Sequence, residues 1–383
     1  VKLINMEMPK TLHKRIESCA NHIFQGLIPN WVSHGFTIEG YSRESLTLDW
    51  QHNPVGRVRL LTQCRQLYTL SHATKLGYMS GYDAQIQALF NAILELYFIE
   101  GRWIFSRNDD MAILDTQSDA YALAFILLSF SHYYQLTQDS RALEFIELTD
   151  QFLDQQMRHP SGGFYEAYPL NEDTVRRQNP HMHLLEGFVA AYHATQDSKY
   201  AERISEICEL AEQYFVEPNT QTLREFFQTD LSLDSETGHL VEPGHHFEWV
   251  WLLHQTYAIT GRKQDLVLAQ QLWHTATKHG LAANGGIVNS IDGNTFSIVD
   301  GDKRIWPITE YLKACCVADI SESERQERLN TALEFLETHY FIDRGRWIEY
   351  LDANNQSKGF PLPGTTGYHI FLGLAEVLKW RDS

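Results

Sequence analysis

Ala122-Leu123-Ala124-Phe125-Ile126-Leu127-Leu128 is apolar on every face of a helix, so a helix built from it must be buried on nearly all sides. His369-Ile370-Phe371-Leu372-Gly373-Leu374 has the same character. A short polar cluster opens each run: Asp119-Ala120-Tyr121 leads the first and Tyr368-His369 the second. Comparable clusters stand at Cys64-Arg65-Gln66-Leu67-Tyr68, His181-Met182-His183-Leu184-Leu185-Glu186, His245-His246-Phe247-Glu248-Trp249 and Trp306-Pro307-Ile308-Thr309-Glu310. Their spacing of about 60 residues marks a stacked or closed helical array.

Between the apolar helices lie amphipathic ones, such as that carrying Ile204, Ile207, Ala211 and Tyr214 on one face with Glu and Lys opposite. Thr137-Gln138-Asp139-Ser140, Thr195-Gln196-Asp197-Ser198, Thr260-Gly261-Arg262 and Ser321-Glu322-Ser323 mark the inner-to-outer turns, where Ser, Thr and Asp suit N-caps. After each outer helix comes a Gly or aromatic punctuator: Gly101-Arg102-Trp103-Ile104, Gly162-Gly163-Phe164-Tyr165, Arg224-Glu225-Phe226-Phe227, Gly285-Gly286-Ile287-Val288 and Gly345-Arg346-Trp347-Ile348, with Ile38-Glu39-Gly40-Tyr41 in the matching place of the first repeat. These suit short hairpins. An open solenoid would leave one side of the inner layer wet, whereas six inner helices ringed by six outer ones bury it. The expected fold is therefore all-α, an (α/α)6 barrel (toroid) of six two-helix repeats with short β-hairpin loops at one end. With no linker among the repeats, residues 1–383 read as a single catalytic domain.

Apolar residues make up 43% of the chain and aromatics 12%, enough for a large core with Trp and Tyr left over for a binding surface. The net charge of −18 is spread along the chain and repels phosphate backbones and anionic membranes, so no nucleic-acid or membrane partner is expected. Without a signal-peptide pattern or a long apolar run, a cytoplasmic location is expected. The five cysteines form no CxxC pair and read as buried thiols. A closed ring needs no partner to complete it, which points to a monomer or weak homodimer.

Each repeat enters its inner helix by the same loop, so the inner N-termini open toward one end of the axis. Arg65, His183, His245, Glu248, Trp306, Glu310 and His369 then converge on one pocket. Histidines beside carboxylates form a proton-transfer set, and a guanidinium with helix N-termini holds a developing oxyanion. That combination suits deprotonation next to a carbonyl with an enediol intermediate. No metal or other cofactor is required: His181 with His183, or Glu242 with His245 and His246, are the nearest approach to a zinc set, and HExxH spacing is missing. Nucleotide-binding glycine motifs are also missing. His246 points some 100° away from His245 and reads as pocket wall or core. Tyr121 and Asp119 read as packing and capping, and His13, His22, His34, His72, His132 and His279 as surface or core. Trp103, Phe164 and Trp347 fit either core packing or sugar stacking.

Asn179-Pro180-His181-Met182-His183-Leu184-Leu185-Glu186, Pro243-Gly244-His245-His246-Phe247-Glu248-Trp249, Arg304-Ile305-Trp306-Pro307 with Glu310, and Tyr368-His369 together resemble the N-acylglucosamine 2-epimerase family, which includes cellobiose 2-epimerases, mannose isomerases and sulfoquinovose isomerases. The resemblance spans nearly the whole chain in order and repeat phase. It implies an (α/α)6 barrel and metal-free 1,2-proton chemistry on an acyclic sugar. His245 and His369 take the acid/base positions, Arg65 and His183 contact substrate, Glu248 and Glu310 are supporting carboxylates, and Trp306 is a wall residue. His246 and Ile305-Trp306 resemble the mannose isomerase pattern within the family. That implies aldose-ketose interconversion of D-mannose and D-fructose through a cis-enediol, with His369 acting at C2 and His245, supported by Glu248, assisting ring opening and oxygen-to-oxygen transfers. Reprotonation of C2 from the opposite face by His245 would instead make a sugar 2-epimerase.

Two other classes compete. A glycosidase or polysaccharide lyase on the same toroid would use Glu248 and Glu310 as flanking carboxylates. A non-catalytic helical-repeat binding protein would show no convergence of His, Arg and Glu.

Overall fold

The computed structural model describes residues 8–383. The first outer helix runs through α1 (Lys10–Asn21), a π-helical turn (His22–Leu27) and α2 (Ile28–Gly35). Inner helices α3 (Leu60–Lys75), α5 (Ala120–Thr137), α7 (Gln178–Thr195), α9 (Pro243–Thr260), α11 (Ile305–Val317) and α13 (Gly367–Arg381) alternate with outer helices α4 (Asp83–Tyr97), α6 (Ser140–Gln156), α8 (Ser198–Leu210), α10 (Lys263–His279) and α12 (Glu322–Phe335). Each inner helix packs on the next around the ring, and α13 returns to α3. This is the (α/α)6 barrel. The apolar run Leu123–Leu127 is fully buried, because α5 lies between α3 and α7 with α6 behind it. Among the described residues, no helix is long and apolar enough to cross a membrane.

The inner-to-outer turns follow local chemistry. Gln138, Gln196 and Gly261 end their inner helices in the left-handed conformation. Asp139, Asp197 and Ser321 then cap the next helix by accepting backbone N–H groups of Arg141, Lys199 and Glu324. At Arg262 the side chain makes no such cap.

The strands at the other end do more than form local hairpins. Local hairpins are present, among them Phe98–Ile99 against Arg102–Trp103, Val216–Glu217 against Thr222–Leu223 and Ser290–Asp292 against Ile298–Asp300. In addition, the two residues ahead of each inner helix pair antiparallel with the loop of the following repeat. Val58 meets Arg107, Ser118 meets Tyr168, Arg177 meets Phe226, Val241 meets Ile291, and Arg304 meets Tyr350. Ser45–Leu46 with Leu362–Pro363 joins the first repeat to the last and closes the circle. These pairs fix where every inner helix begins. Trp103 donates its indole N–H to Thr149 and Trp347 to Glu349; both rings and Phe164 are buried core, not a stacking surface. Tyr214, expected on the packed face of its helix, is one-third exposed, while Ile204, Ile207 and Ala211 are buried.

Candidate active site

The ring imposes one register on the inner helices. With N-caps at Arg59, Arg177, Glu242 and Arg304, the residues Arg65, His183, Glu248 and Glu310 all stand six positions into their helices. His245 and His369 both stand three positions past their caps, Glu242 and Thr366, about 4.5 Å nearer the open end. The six side chains therefore form two tiers around the axis.

A cavity of about 150 Å³ opens above the lower tier. Arg65, Asn179, His183, His245, Glu248, Trp306 and His369 line it, with Tyr121, Glu242, Arg304, Thr365 and Thr366. Trp306 stands between the two upper histidines, its ring centroid 5.0 Å from that of His245 and 5.7 Å from that of His369. It fits because Gly244 has no Cβ: one built there would lie 2.6 Å from the indole. Arg65 donates to the Tyr121 hydroxyl at 2.6 Å and to the Thr365 carbonyl at 3.2 Å, with its guanidinium over the Phe125 and Tyr368 rings at 4.5 and 4.9 Å. These contacts fix a cation at the cavity wall.

The two upper histidines sit in opposite electrostatic settings. His245 Nδ1 lies 3.0 Å from Glu225 Oε2 and 3.8 Å from Glu242 Oε2. Burial opposes protonation there, but the Glu225 and Glu242 carboxylates outweigh it and raise the pKa to about 10. His245 Nε2 lies 3.0 Å from the Asn179 side-chain Nδ2, and exchanging the amide's nitrogen and oxygen by a flip would give an imidazolium N–H its acceptor. His369 Nδ1 donates to Glu310 at 2.8 Å, leaving Nε2 as its free ring nitrogen. Burial, then the positive charges of Arg65 and Lys313, hold His369 well below the ordinary histidine pKa. One histidine is an acid and the other a neutral base.

Below them lies a floor of buried carboxylates. Glu186 accepts from the Tyr368 hydroxyl at 2.6 Å and from His183 Nδ1 at 3.3 Å. Burial keeps His183 neutral, with a pKa of about 4 despite the Glu186 bond. Both Glu248 oxygens are buried without a hydrogen-bond partner among the described residues, and burial with the nearby Glu310 pushes this carboxyl well above its usual range. Two overlapping groups, His183 with Glu186 and Glu248, and Glu248 with Glu310 and His369, bring donor atoms within 4.8 Å of one another and are the residues most able to hold a metal ion. The Lys313 ammonium, 2.6 Å from Glu310 and wholly buried, already brings positive charge to this floor.

The sequence-derived residues come together, with three changes of position. The hydrogen-bond partner of His245 is Glu225 and not Glu248, which lies one helical turn deeper with its carboxylate 3.8 Å from His183 Nδ1. Glu310, expected in the pocket with the substrate-binding residues and as a supporting carboxylate, is fully buried and faces His369 and Lys313 instead of the cavity. Tyr121 is a wall residue bonded to Arg65, not simple packing, whereas Asp119 does cap α5. His246 is core: it accepts the Leu223 backbone N–H at 3.0 Å, as His181 accepts that of Phe164.

Glu225 carried a signal that went unused. Glu44, Glu166, Glu225 and Glu349 recur directly ahead of the loop strands. Glu44 and Glu166 bind the N-cap arginines Arg59 and Arg177, while Glu225 meets a histidine.

Comparison with known proteins agrees with this architecture. Residues 40–373 match the family model described as N-acylglucosamine 2-epimerase (GlcNAc 2-epimerase). The chain is 29% identical to a mannose-6-phosphate isomerase of Rhizobium meliloti, over 97% of this chain and 98% of that protein. It is 27% identical to a D-mannose isomerase of Marinomonas mediterranea, over 70% and 72% of the two chains. A solved D-mannose isomerase superposes with a TM-score of 0.86 at 20% identity, over 99% of this chain and all (100%) of that one.

Proposed function

Since the chain belongs to the N-acylglucosamine 2-epimerase family, whose members are sugar epimerases and isomerases, we propose that it is an aldose-ketose isomerase that interconverts D-mannose and D-fructose, the whole ring acting as one catalytic domain. The observation that carries this reading is the opposed protonation of His245 and His369 across one small cavity. Titratable groups pushed apart in this way divide acid from base duties.

In this mechanism the imidazolium of His245 protonates the ring oxygen as the sugar opens, takes up the proton released by the anomeric hydroxyl, and so is again an imidazolium that donates toward the new carbonyl oxygen. His369 Nε2 removes the C2 proton, with Glu310 fixing its tautomer. Arg65 and the Tyr121 hydroxyl hold the enediolate oxygens, and the neutral Glu248 carboxyl donates to a sugar hydroxyl from the floor. His369 then delivers a proton to C1 on the same face, its Nε2 proton exchanging with solvent in part while the enediol persists, and protons move between O1 and O2 through His245. The reaction closes with no net change in either histidine. Names among the relatives support both isomerase and 2-epimerase outcomes, including a cellobiose 2-epimerase of Bacteroides fragilis at 22% identity. In the epimerase route His245 would return a proton to C2 from the other face.

A cavity of about 150 Å³ favours a monosaccharide, being smaller than the ~300–1,000 Å³ typical of drug-sized sites. Of the two arginines that line it, Arg65 serves the enediolate and also bonds Tyr121 and Thr365, which leaves Arg304 for a further anionic group. A neutral sugar therefore fits better than a phosphorylated one. The glycosidase alternative loses its second carboxylate, since Glu310 is covered by His369 and Lys313.

Incubation with D-mannose, and separately with mannose 6-phosphate, with products followed by NMR, tests the proposal. Fructose from mannose is expected. Glucose as sole product would make the enzyme a 2-epimerase, and turnover of the phosphate ester alone would overturn the neutral substrate.

A further inference from the structure

A lysine stands at the centre of the floor, one turn after Glu310 on α11. Lys313 is fully buried, with its Nζ 2.6 Å from Glu310 Oε2 and 4.2 Å from the centre of the Trp251 ring. Glu310 in turn accepts from His369 Nδ1 through its other oxygen, at 2.8 Å. Lysine, glutamate and histidine thus form a line from the barrel axis to the cavity. A fully buried ammonium is costly unless paired, so its retention here asks for a role.

We propose that Lys313 is a positioning residue for proton abstraction: its charge cancels that of Glu310, so that Glu310 orients His369 without drawing a proton onto it. A histidine bonded to an uncompensated buried carboxylate becomes an imidazolium, as His245 does beside Glu225 and Glu242. His369 has an equally short carboxylate bond but the opposite state. His245 has a second carboxylate, Glu242, beside it, whereas Arg65 stands near His369 and the carboxylate of His369 has the Lys313 cation behind it. Other groups face this line from every packed helix. Arg65 of α3 adds positive charge near His369, and His183 of α7 lies near as well. Glu186 of α7 and Glu248 of α9 add negative charge around Lys313, and the Tyr368 hydroxyl of α13 is bonded to Glu186. Burial and Glu310 push the Glu248 carboxyl up, and Glu310 is the first of the charges that Lys313 balances, ahead of Glu248 and Glu186.

The inference rests on His369 being the base, yet its test needs no substrate. Histidine ring NMR titration of His369 is compared in the wild type, K313M and the charge-balanced double variant E310Q/K313M, with circular dichroism to confirm folding. In K313M the midpoint of His369 is expected to rise by about 1–3 pH units, the range for unmasking a neighbouring opposite charge. In the double variant it returns toward the wild-type value. Where sugar turnover is measurable, the acid limb of kcat/KM moves with the midpoint. An unmoved His369 in folded K313M overturns the inference, as does a double variant that behaves like the single one. If K313M fails to fold, the double variant decides alone: a midpoint near the wild-type value supports charge cancellation, and a raised one contradicts it. A protein inactive on every sugar would sink the functional reading while leaving this titration result standing.

Discussion

His245 Nδ1 lies 3.0 Å from Glu225 Oε2, although the histidine belongs to helix α9 and the glutamate to the loop that follows the preceding outer helix. The same carboxylate takes the Glu242 backbone N–H at 3.3 Å and the Gln178 side chain at 2.8 Å, so it is anchored from three directions. Glu225→Gln keeps the shape and removes the charge. We expect kcat to fall about 10²-fold, the lower end of the contribution of a positioned acid or base. The alkaline limb of kcat/KM should move down by about 1–3 pH units. Steady-state kinetics across pH check both.

The wild-type pH profile should be broad. Activity requires protonated His245 and neutral His369, so kcat/KM declines only as pH rises toward about 10, and on the acid side only well below 6.5. Stability follows the same groups with opposite signs. The raised pKa of His245 contributes stability that is complete below 6.5 and lost as pH climbs through about 10. The depressed pKa of His369 contributes stability that is complete above 6.5 and lost as pH falls toward its folded value. From these two groups, denaturant melts at several pH values should show greatest stability near pH 6.5, falling on either side. A sharp optimum of kcat/KM near pH 6.5 contradicts the assignment.

Ring closure depends on a close approach between Gly26, in the first outer helix, and Gly345, in the last hairpin. Gly345 has φ of +75°, and a Cβ built on it would lie 2.0 Å from the Leu27 nitrogen. Gly345→Ala should destabilise the protein by roughly 2–5 kcal/mol, combining left-handed strain with overpacking of rigid backbone. Thermal unfolding measures this. The neighbouring Gly359 has a similar φ of +71° with nothing within 4 Å of its would-be Cβ. Gly359→Ala should cost only the strain, about 1–2 kcal/mol.

Much of this was legible in the chain. Helices that are apolar all round, such as Ala122–Leu128, demand burial on all sides, and the recurring polar clusters place Arg65 and His369 at one end of one ring. Sequence spacing also separates His245 from His246, since neighbouring helix positions face different directions. The inter-repeat strand pairs were not legible, because two-residue strands such as Val58–Arg59 are too short to show alternation. Hydrogen-bond partners were harder still. Glu248 is the obvious carboxylate one turn after His245, but a turn along the helix is also a step deeper into the barrel, and the loop residue Glu225 reaches the ring nitrogen first. A lysine is by type a surface residue, and only the packing of α9 and α13 against α11 shows Lys313 enclosed.

The central claim is that His369 takes the proton from C2 of the sugar. Hydrogen exchange at C2 of D-mannose in D₂O, followed by ¹H NMR for the wild type, H369A and H245A, tests it most directly. The wild type should wash deuterium into the C2 position as interconversion proceeds, and folded H369A should lose that exchange by at least about 10²-fold. H245A should slow ring opening and turnover, and exchange from sugar that is already acyclic should fall less than in H369A. Exchange at the wild-type rate in folded H369A would contradict the account.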